Sequence, residues 1–281
     1  MNKNLGFVIL HYNTEEETVA CVNSILQHLA GANVVIVDNG SPNGSGQRLK
    51  EKYRELPVKV ICLDSNLGFA KGNNVGIQYL RNNTMVKFII TMNSDTLIEQ
   101  DDFEKVIEKE YYQSQFAVMG PQITTKNGEK NSNPVEYIVD SEKKVKKLIL
   151  KRSVKLFLNK IHMNKFIKDV GTGVRIKGIY DSDKRYENVK LHGACWIFSP
   201  KFFEIFTGLC DKTFLYFEED ILFFYMKKMG LKTVYNPKIN IIHLEDATSN
   251  SISKTSREKN IFVLKNEIKS LKVLKEIICE A

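Results

Sequence analysis

The chain has 281 residues, 43% of them hydrophobic and 26% charged, with a net charge of +8. That is too apolar for a disordered chain, and the cationic excess suits anionic partners such as nucleotides or phospholipid surfaces. The five cysteines (Cys21, Cys62, Cys195, Cys210, Cys279) are odd in number, widely spaced and without a CxxC, which argues for reduced thiols in the cytosol and against a disulfide framework or a zinc site.

Leu5 to Leu10 is an apolar run that reads as a buried strand, ending at His11-Tyr12-Asn13. Thr14 and Glu17 then have capping-box spacing, with three acids in the positive first turn of a helix that runs to Gly31. Val34 to Val37 is a second strand, stopped by Asp38-Asn39-Gly40-Ser41, and a second helix fits Gln47 to Leu56. Val58 to Leu63 is a third strand. The segment Asp64 to Asn74 follows, then a helix to about Arg81. Phe88-Ile89-Ile90-Thr91-Met92 is a fourth strand ending in Asn93-Ser94-Asp95. Strand and helix alternate through residues 5–113, the pattern of a parallel, Rossmann-like sheet with right-handed crossovers.

A charged helix fits Asp101 to Gln113. Phe116 to Met119 is a strand expected to stop at Gly120-Pro121, and Lys126 to Glu129 is a turn. Residues 143–168 hold ten Lys or Arg and no Asp or Glu, with apolar residues interleaved. Three readings arise: an interfacial amphipathic helix on anionic lipid, a helix packed on the domain with a solvated basic face, or a nucleic-acid groove. No RNA- or DNA-binding motif accompanies the run, so nucleic acid is not an expected partner. Residues 191–200 return to strand chemistry. Phe214 to Phe217 then delivers Glu218-Glu219-Asp220 into a helix from Ile221 to Met229. Lys232 to Tyr235 is a short strand, stopped by Asn236-Pro237, and Ile239 to Ile242 leads to His243. From Lys254 a long amphipathic helix closes the chain. Residues 1–10 lack the apolar core of a signal peptide, and no apolar run approaches the roughly 20 residues needed to span a bilayer.

In open parallel sheets, ligands bind beyond the carboxyl ends of the strands. Asn13, Asp38, Asn66 and Asn93 to Asp95 all lie at such ends. A nucleotide fits that edge, with Asp38 accepting from base or ribose and Gly68 and Gly72 allowing close backbone approach; plain turn chemistry is the alternative for each. Neither GxxxxGK[ST] nor a GxGxxG after the first strand is present, which excludes a P-loop and leaves a dinucleotide fold unsupported.

The runs Val8 to Asn13, Val35 to Ser41, Asn66 to Asn74 and Met92 to Thr96, in this order and spacing, resemble the nucleotide-binding half of a family 2 glycosyltransferase with a GT-A fold. The rhamnosyl- and galactofuranosyl-transferase-like branch of bacterial surface-polysaccharide enzymes is the most similar. The resemblance implies an α/β fold: a mainly parallel sheet flanked by helices. Residues 1–250 would form the GT-A domain, with a nucleotide-binding half (1–113) and an acceptor-side half (114–250) carrying the basic insertion 140–170. Residues 251–281 would be a C-terminal helical segment, which could pack back on the domain, touch membrane or pair with another subunit.

It further implies an inverting, metal-dependent glycosyltransferase that moves a sugar from a UDP- or dTDP-sugar to a glycan or polyprenyl-linked glycan. Asp95 would hold Mg²⁺ or Mn²⁺ with Asn93 and His243; where the family often has Asp-x-Asp, this chain has Asn93. His11, Tyr12, Asn13, Asp38, Asn66, Gly68, Phe69, Gly72, Asn73, Asn93 and Ser94 would line the donor nucleotide. Gly193 and Ala194 match the family's segment beside the sugars. Trp196 would either stack on a sugar or fill the core. Asp220 would be the base that takes the acceptor's proton, with Glu219 beside it. Leu222 and Phe223-Phe224-Tyr225 replace a further acid and an Arg that the family often carries. The cysteine pattern argues for a cytoplasmic location, and the basic stretch 143–168 motivates a peripheral place on the inner face of the cell membrane. Two other classes remain: a catalytically silent nucleotide-sugar-binding subunit, and a nucleotidyltransferase, whose Gly-rich basic loop after the first strand is missing here.

Overall fold

The computed structural model describes residues 4–130, 133–161, 179–244 and 256–280. The end of the basic run after residue 161 and the boundary expected at 250/251 lie outside them. The chain opens with β1 (Leu5–His11), α1 (Glu15–His28), β2 (Asn33–Asp38), α2 (Ser45–Lys52), β3 (Val58–Cys62), α3 (Phe69–Asn83) and β4 (Phe88–Asn93). β3, β2, β1 and β4 lie side by side and all parallel. Strands covered on both faces must be apolar on both, as β1, β2 and β4 are, whereas the edge strand β3 alternates and leaves Lys59 exposed. Leu5, Phe7 and Ile9 face Cys21, Val22 and Ile25 of α1, while Val8 faces Ile77 and Leu80 of α3. Each such aliphatic side chain contributes roughly 1.5–3 kcal/mol when fully buried.

The second half adds β5 (Thr96–Leu97), α4 (Phe103–Ser114), β6 (Val118–Thr125), α5 (Glu142–Lys160), β7 (Tyr186–Glu187), β8 (Cys195–Phe198), α6 (Pro200–Phe203), α7 (Glu218–Lys228), β9 (Thr233–His243) and α8 (Ser256–Cys279). β8 enters antiparallel between β4 and β6, and β9 follows β6 in parallel. The sheet is therefore mainly parallel, flanked by helices, with a C-terminal helix, as the sequence implies.

Two expected strand stops do not occur. β6 continues through Gly120-Pro121 and β9 through Asn236-Pro237. Their register shifts at this place: Pro121 pairs Asn236, but Gln122 pairs Asn240. A bulge tolerates residues that lack an N–H, so prolines interrupt the ladder without ending the strands. The expected capping box of α1 does not form either. Thr14 makes no side-chain cap; its Oγ1 instead meets Ser94 Oγ at 3.1 Å, tying α1 to the end of β4.

α5 packs antiparallel on α8. Arg152 pairs with Glu267 at 2.7 Å in the middle, and Arg257 donates to the carbonyls of Asn159 and Lys160 at one end. Val139, Val145, Ile221, Leu271, Leu274 and Ile277 form one core beneath the pair and α7. One face of the basic helix is thus packed on the domain.

Candidate functional site

Because β1, β2 and β4 are parallel, their carboxyl ends meet at one edge. Short polar side chains knit the loops there: Asn13 N–H donates to Ser41 Oγ at 2.9 Å, and Ser41 N–H to Asp38 Oδ1 at 3.1 Å. Asp38 is 5% exposed. A Cβ on Gly46 would sit 1.8 Å from its Oδ2, so the carboxylate is largely enclosed by the start of α2. His11, expected at the donor, is fully buried. Its Nδ1 meets Thr18 Oγ1 and its Nε2 meets Ser45 Oγ, each at 2.7 Å. Burial holds the imidazole below its ordinary pKa. With both ring nitrogens engaged inside the fold, His11 joins β1 to α1 and α2. Ser94 is likewise buried on Thr14. Tyr12 stays half-buried at the edge.

A residue that the sequence left as turn chemistry organises the next loop. Asn39 is 3% exposed. Its Nδ2 donates to Asn66 Oδ1 at 3.0 Å and to the Gly68 carbonyl at 3.1 Å, and its Oδ1 accepts from Leu67 N–H at 2.9 Å. The signal for it was an amide placed immediately after a buried strand. Gly68 has φ +86°, and a Cβ there would lie 2.2 Å from the Phe214 carbonyl. Its close approach is thus to the 214 segment, and Gly72 packs on Leu10 and Asn39; neither glycine's tight contact faces a ligand. Phe69 stands edge-on to Trp196, with centroids 5.9 Å apart. Trp196 itself is fully buried and its Nε1 reaches the Leu191 carbonyl at 3.4 Å. It is a core residue, since β8 is covered on both faces, and no ring face is left for a sugar.

The second centre forms where β4, β8, α7 and β9 converge. Asn93 N–H donates to the Ala194 carbonyl at 2.9 Å. Thr96 pairs with His243 across β5 and β9, which brings His243 Nε2 to 3.3 Å from Asp95 Oδ1. The rings of His243 and His192 are 6.2 Å apart. Next to His192, Gly193 N–H donates to Glu219 Oε1 at 2.6 Å. Asp95, His243, His192, Gly193 and Glu219 therefore form a continuous row.

The three acids that open α7 point three ways. Successive helical residues are rotated by about 100°, so no two can share one direction. Glu218 accepts from Thr213 Oγ1 at 2.9 Å, at the rim of a cavity of about 320 Å³ lined by Phe202, Phe206, Leu209, Leu222 and Tyr225. Burial pushes its pKa up to about 7. Glu219 faces Gly193. Asp220 turns inward, 6% exposed; its Oδ1 accepts from Val139 N–H at 2.9 Å and from Lys190 Nζ at 3.0 Å. Burial raises its pKa, and the Lys190 ammonium opposes that shift. Of the two acids expected at the reacting centre, Asp220 is engaged inside with Val139 and Lys190, and Glu219 is the carboxylate beside Gly193. Lys190 was missed in the sequence, although a lone lysine between Val189 and Leu191 was its signal.

Asn13 Oδ1, Asn73 Oδ1 and Asp95 Oδ1 are buried acceptors without a hydrogen bond. All three lie along the strand-end edge, where a ligand's donors or a cation would satisfy them. Asp95 with His243 suits a divalent cation that takes oxygen and imidazole ligands. Among the described residues no group of three His, Cys, Asp or Glu gathers; a cation here would complete its shell from phosphates and water, as Mg²⁺ commonly does.

The family model described as Glycosyl transferase family 2 matches residues 7–206. The Haloferax volcanii low-salt glycan biosynthesis hexosyltransferase Agl10 is 22% identical over 225 residues, 78% of this chain and 60% of that protein. The Shigella flexneri dTDP-rhamnosyl transferase RfbF is 34% identical over 109 residues, 38% of this chain and 34% of that protein. The chain thus spans less than two thirds of each of these relatives. The crystal structure of S. aureus TarS 1–349 in complex with UDP superposes with a TM-score of 0.51 at 14% identity, covering 94% of this chain and 71% of that one. At that identity the likeness is one of fold.

Proposed function

The chain belongs to glycosyl transferase family 2, and on that premise we propose that it transfers a sugar, with inversion, from a nucleotide-diphosphate sugar to a hydroxyl of a glycan acceptor. The row from Asp95 through His243, His192 and Gly193 to Glu219 is the observation that carries this reading. It sets a buried carboxylate, its Oδ1 3.3 Å from His243 Nε2, at one end and a carboxylate beside a backbone N–H at the other. The names of the relatives support a donor of the UDP or dTDP class.

In this mechanism the Asn39-braced loop and the strand-end amides hold the nucleoside. Asp95 and His243, with Asn93, would hold Mg²⁺ or Mn²⁺, which would supply positive charge against the leaving diphosphate. The Glu219 carboxylate takes the proton of the acceptor hydroxyl as that oxygen attacks the anomeric carbon. The bond from that carbon to the diphosphate oxygen breaks on the opposite face, so configuration inverts. Asp220 and Lys190 fix the first turn of α7 and keep Glu219 aimed at the Gly193 segment.

The test is nucleoside diphosphate release from a panel of UDP-, dTDP- and GDP-sugars with glycan acceptors. It is run with Mn²⁺ and with EDTA, beside Asp95→Ala and Glu219→Gln. Release of one nucleoside diphosphate, lost with EDTA and in both variants, is the expected result. Tight donor binding without release in the presence of extracted glycan acceptors would overturn the proposal in favour of a silent binding subunit.

A further inference from the structure

α5 is buried along one side and apolar on the opposite, exposed side. One side carries Val145, Arg152 and Asn159, seven residues apart, and is buried against α8. The other carries Leu150, Val154, Phe157 and Ile161, which are 67%, 51%, 60% and 43% exposed. At about 100° per residue these four fall within roughly 60° of arc, opposite the buried seam. Folding therefore leaves a large apolar stripe uncovered, in a protein whose other helices bury theirs.

Lysines border the stripe. Lys147 and Lys151 follow one edge, Lys160 stands on the other, and Lys143 sits at its N-terminal end; all four are exposed. None of them forms an ion pair among the described residues, and the one acid of the helix, Glu142, pairs with Lys146 at 2.7 Å. From this geometry we infer that the outer face of α5 docks on an anionic lipid surface. The four apolar side chains enter the boundary between headgroups and acyl chains, and the lysine heads stay at headgroup level beside acidic phosphates. No described helix is long and apolar enough to cross a membrane, and the two-sided build of α5 is that of a helix lying in the interface plane. A second copy of the chain is the poorer occupant, because pairing two such faces sets lysine against lysine.

This inference goes beyond sugar transfer and stands or falls separately from it. The test is sedimentation of the full chain with vesicles of phosphatidylcholine alone and of phosphatidylcholine with phosphatidylglycerol. Binding to the mixed vesicles, weakened by salt, is expected. Each lysine near an anionic surface is worth about fivefold in partitioning, so the triple variant Lys143→Gln/Lys147→Gln/Lys151→Gln should bind about 100-fold more weakly. Leu150→Ser/Phe157→Ser should also release the chain, with its melting temperature kept because both side chains are exposed. Equal binding to both vesicle types, or wild-type binding by the triple variant, would overturn the inference. So would an absence of vesicle binding together with a dimer that Phe157→Ser dissociates. Transfer to a soluble acceptor should survive in every variant, and its absence would bear on the transfer reading alone.

Discussion

Lys190 Nζ lies 3.0 Å from Asp220 Oδ1, with the two side chains 4% and 7% exposed. The two charges compensate each other, and the Val139 N–H also donates to the carboxylate, so breaking the pair strands a charge in the interior. Lys190→Met should destabilise the fold by about 3–5 kcal/mol. Lys190→Met/Asp220→Asn should regain most of that loss, since asparagine still accepts from Val139. Urea denaturation of the three proteins checks this, and a single variant as stable as wild type would remove Lys190 from its positioning role.

The two neighbouring acids should separate in kinetics. Glu219→Gln keeps an acceptor for Gly193 N–H but cannot take a proton. Its kcat should fall by about 100- to 10,000-fold, with donor affinity and melting temperature little changed. Asp220→Asn should lower stability while retaining more turnover at temperatures where it is folded. The opposite ranking in a steady-state assay would return the base to Asp220.

Glu218 should make stability depend on pH. Its carboxyl is near 4.3 in an unfolded chain and is pushed up to about 7 by burial in the fold. The native state therefore binds this proton more tightly. The stability it contributes is present below about pH 4 and is lost as the pH rises towards and through 7, a term on the order of 4 kcal/mol. Glu218→Gln should flatten the decline of the urea midpoint between pH 5 and 8. An unchanged slope would show that Glu218 is not the group responsible.

Asn39 should matter for the donor without touching the chemistry. Asn39→Ala removes three hydrogen bonds to the 66–68 loop, at a cost of about 1–3 kcal/mol if the partners stay buried. The donor KM should rise while kcat changes little. Asn39→Asp should be worse, because a carboxylate would face Asn66 Oδ1 and the Gly68 carbonyl. A fall in kcat at constant KM would point instead to a role at the reacting centre.

Much of the fold is legible along the chain because its signals are local. Apolar runs bounded by Asx and Gly mark β1 to β4, and their parallel pairing follows from the intervening helices. The prolines at 121 and 237 mislead for the same reason. A local rule stops the strands, while the bulge that accommodates them belongs to the pairing of β6 with β9. His11 and Trp196 carry side chains that serve ligands or cores equally well, and burial alone assigns them to the core.

Residues 218–220 mark the division most clearly. The sequence by itself determines that three acids open a helix after an aromatic run, and helical rotation then requires them to diverge. Which of them faces Gly193 is decided by the tertiary structure. Lys190 and Val139, 30 and 81 positions from Asp220, draw that carboxylate inward because a buried charge needs a countercharge and an N–H. Glu219, one step further round the helix, is left beside Gly193.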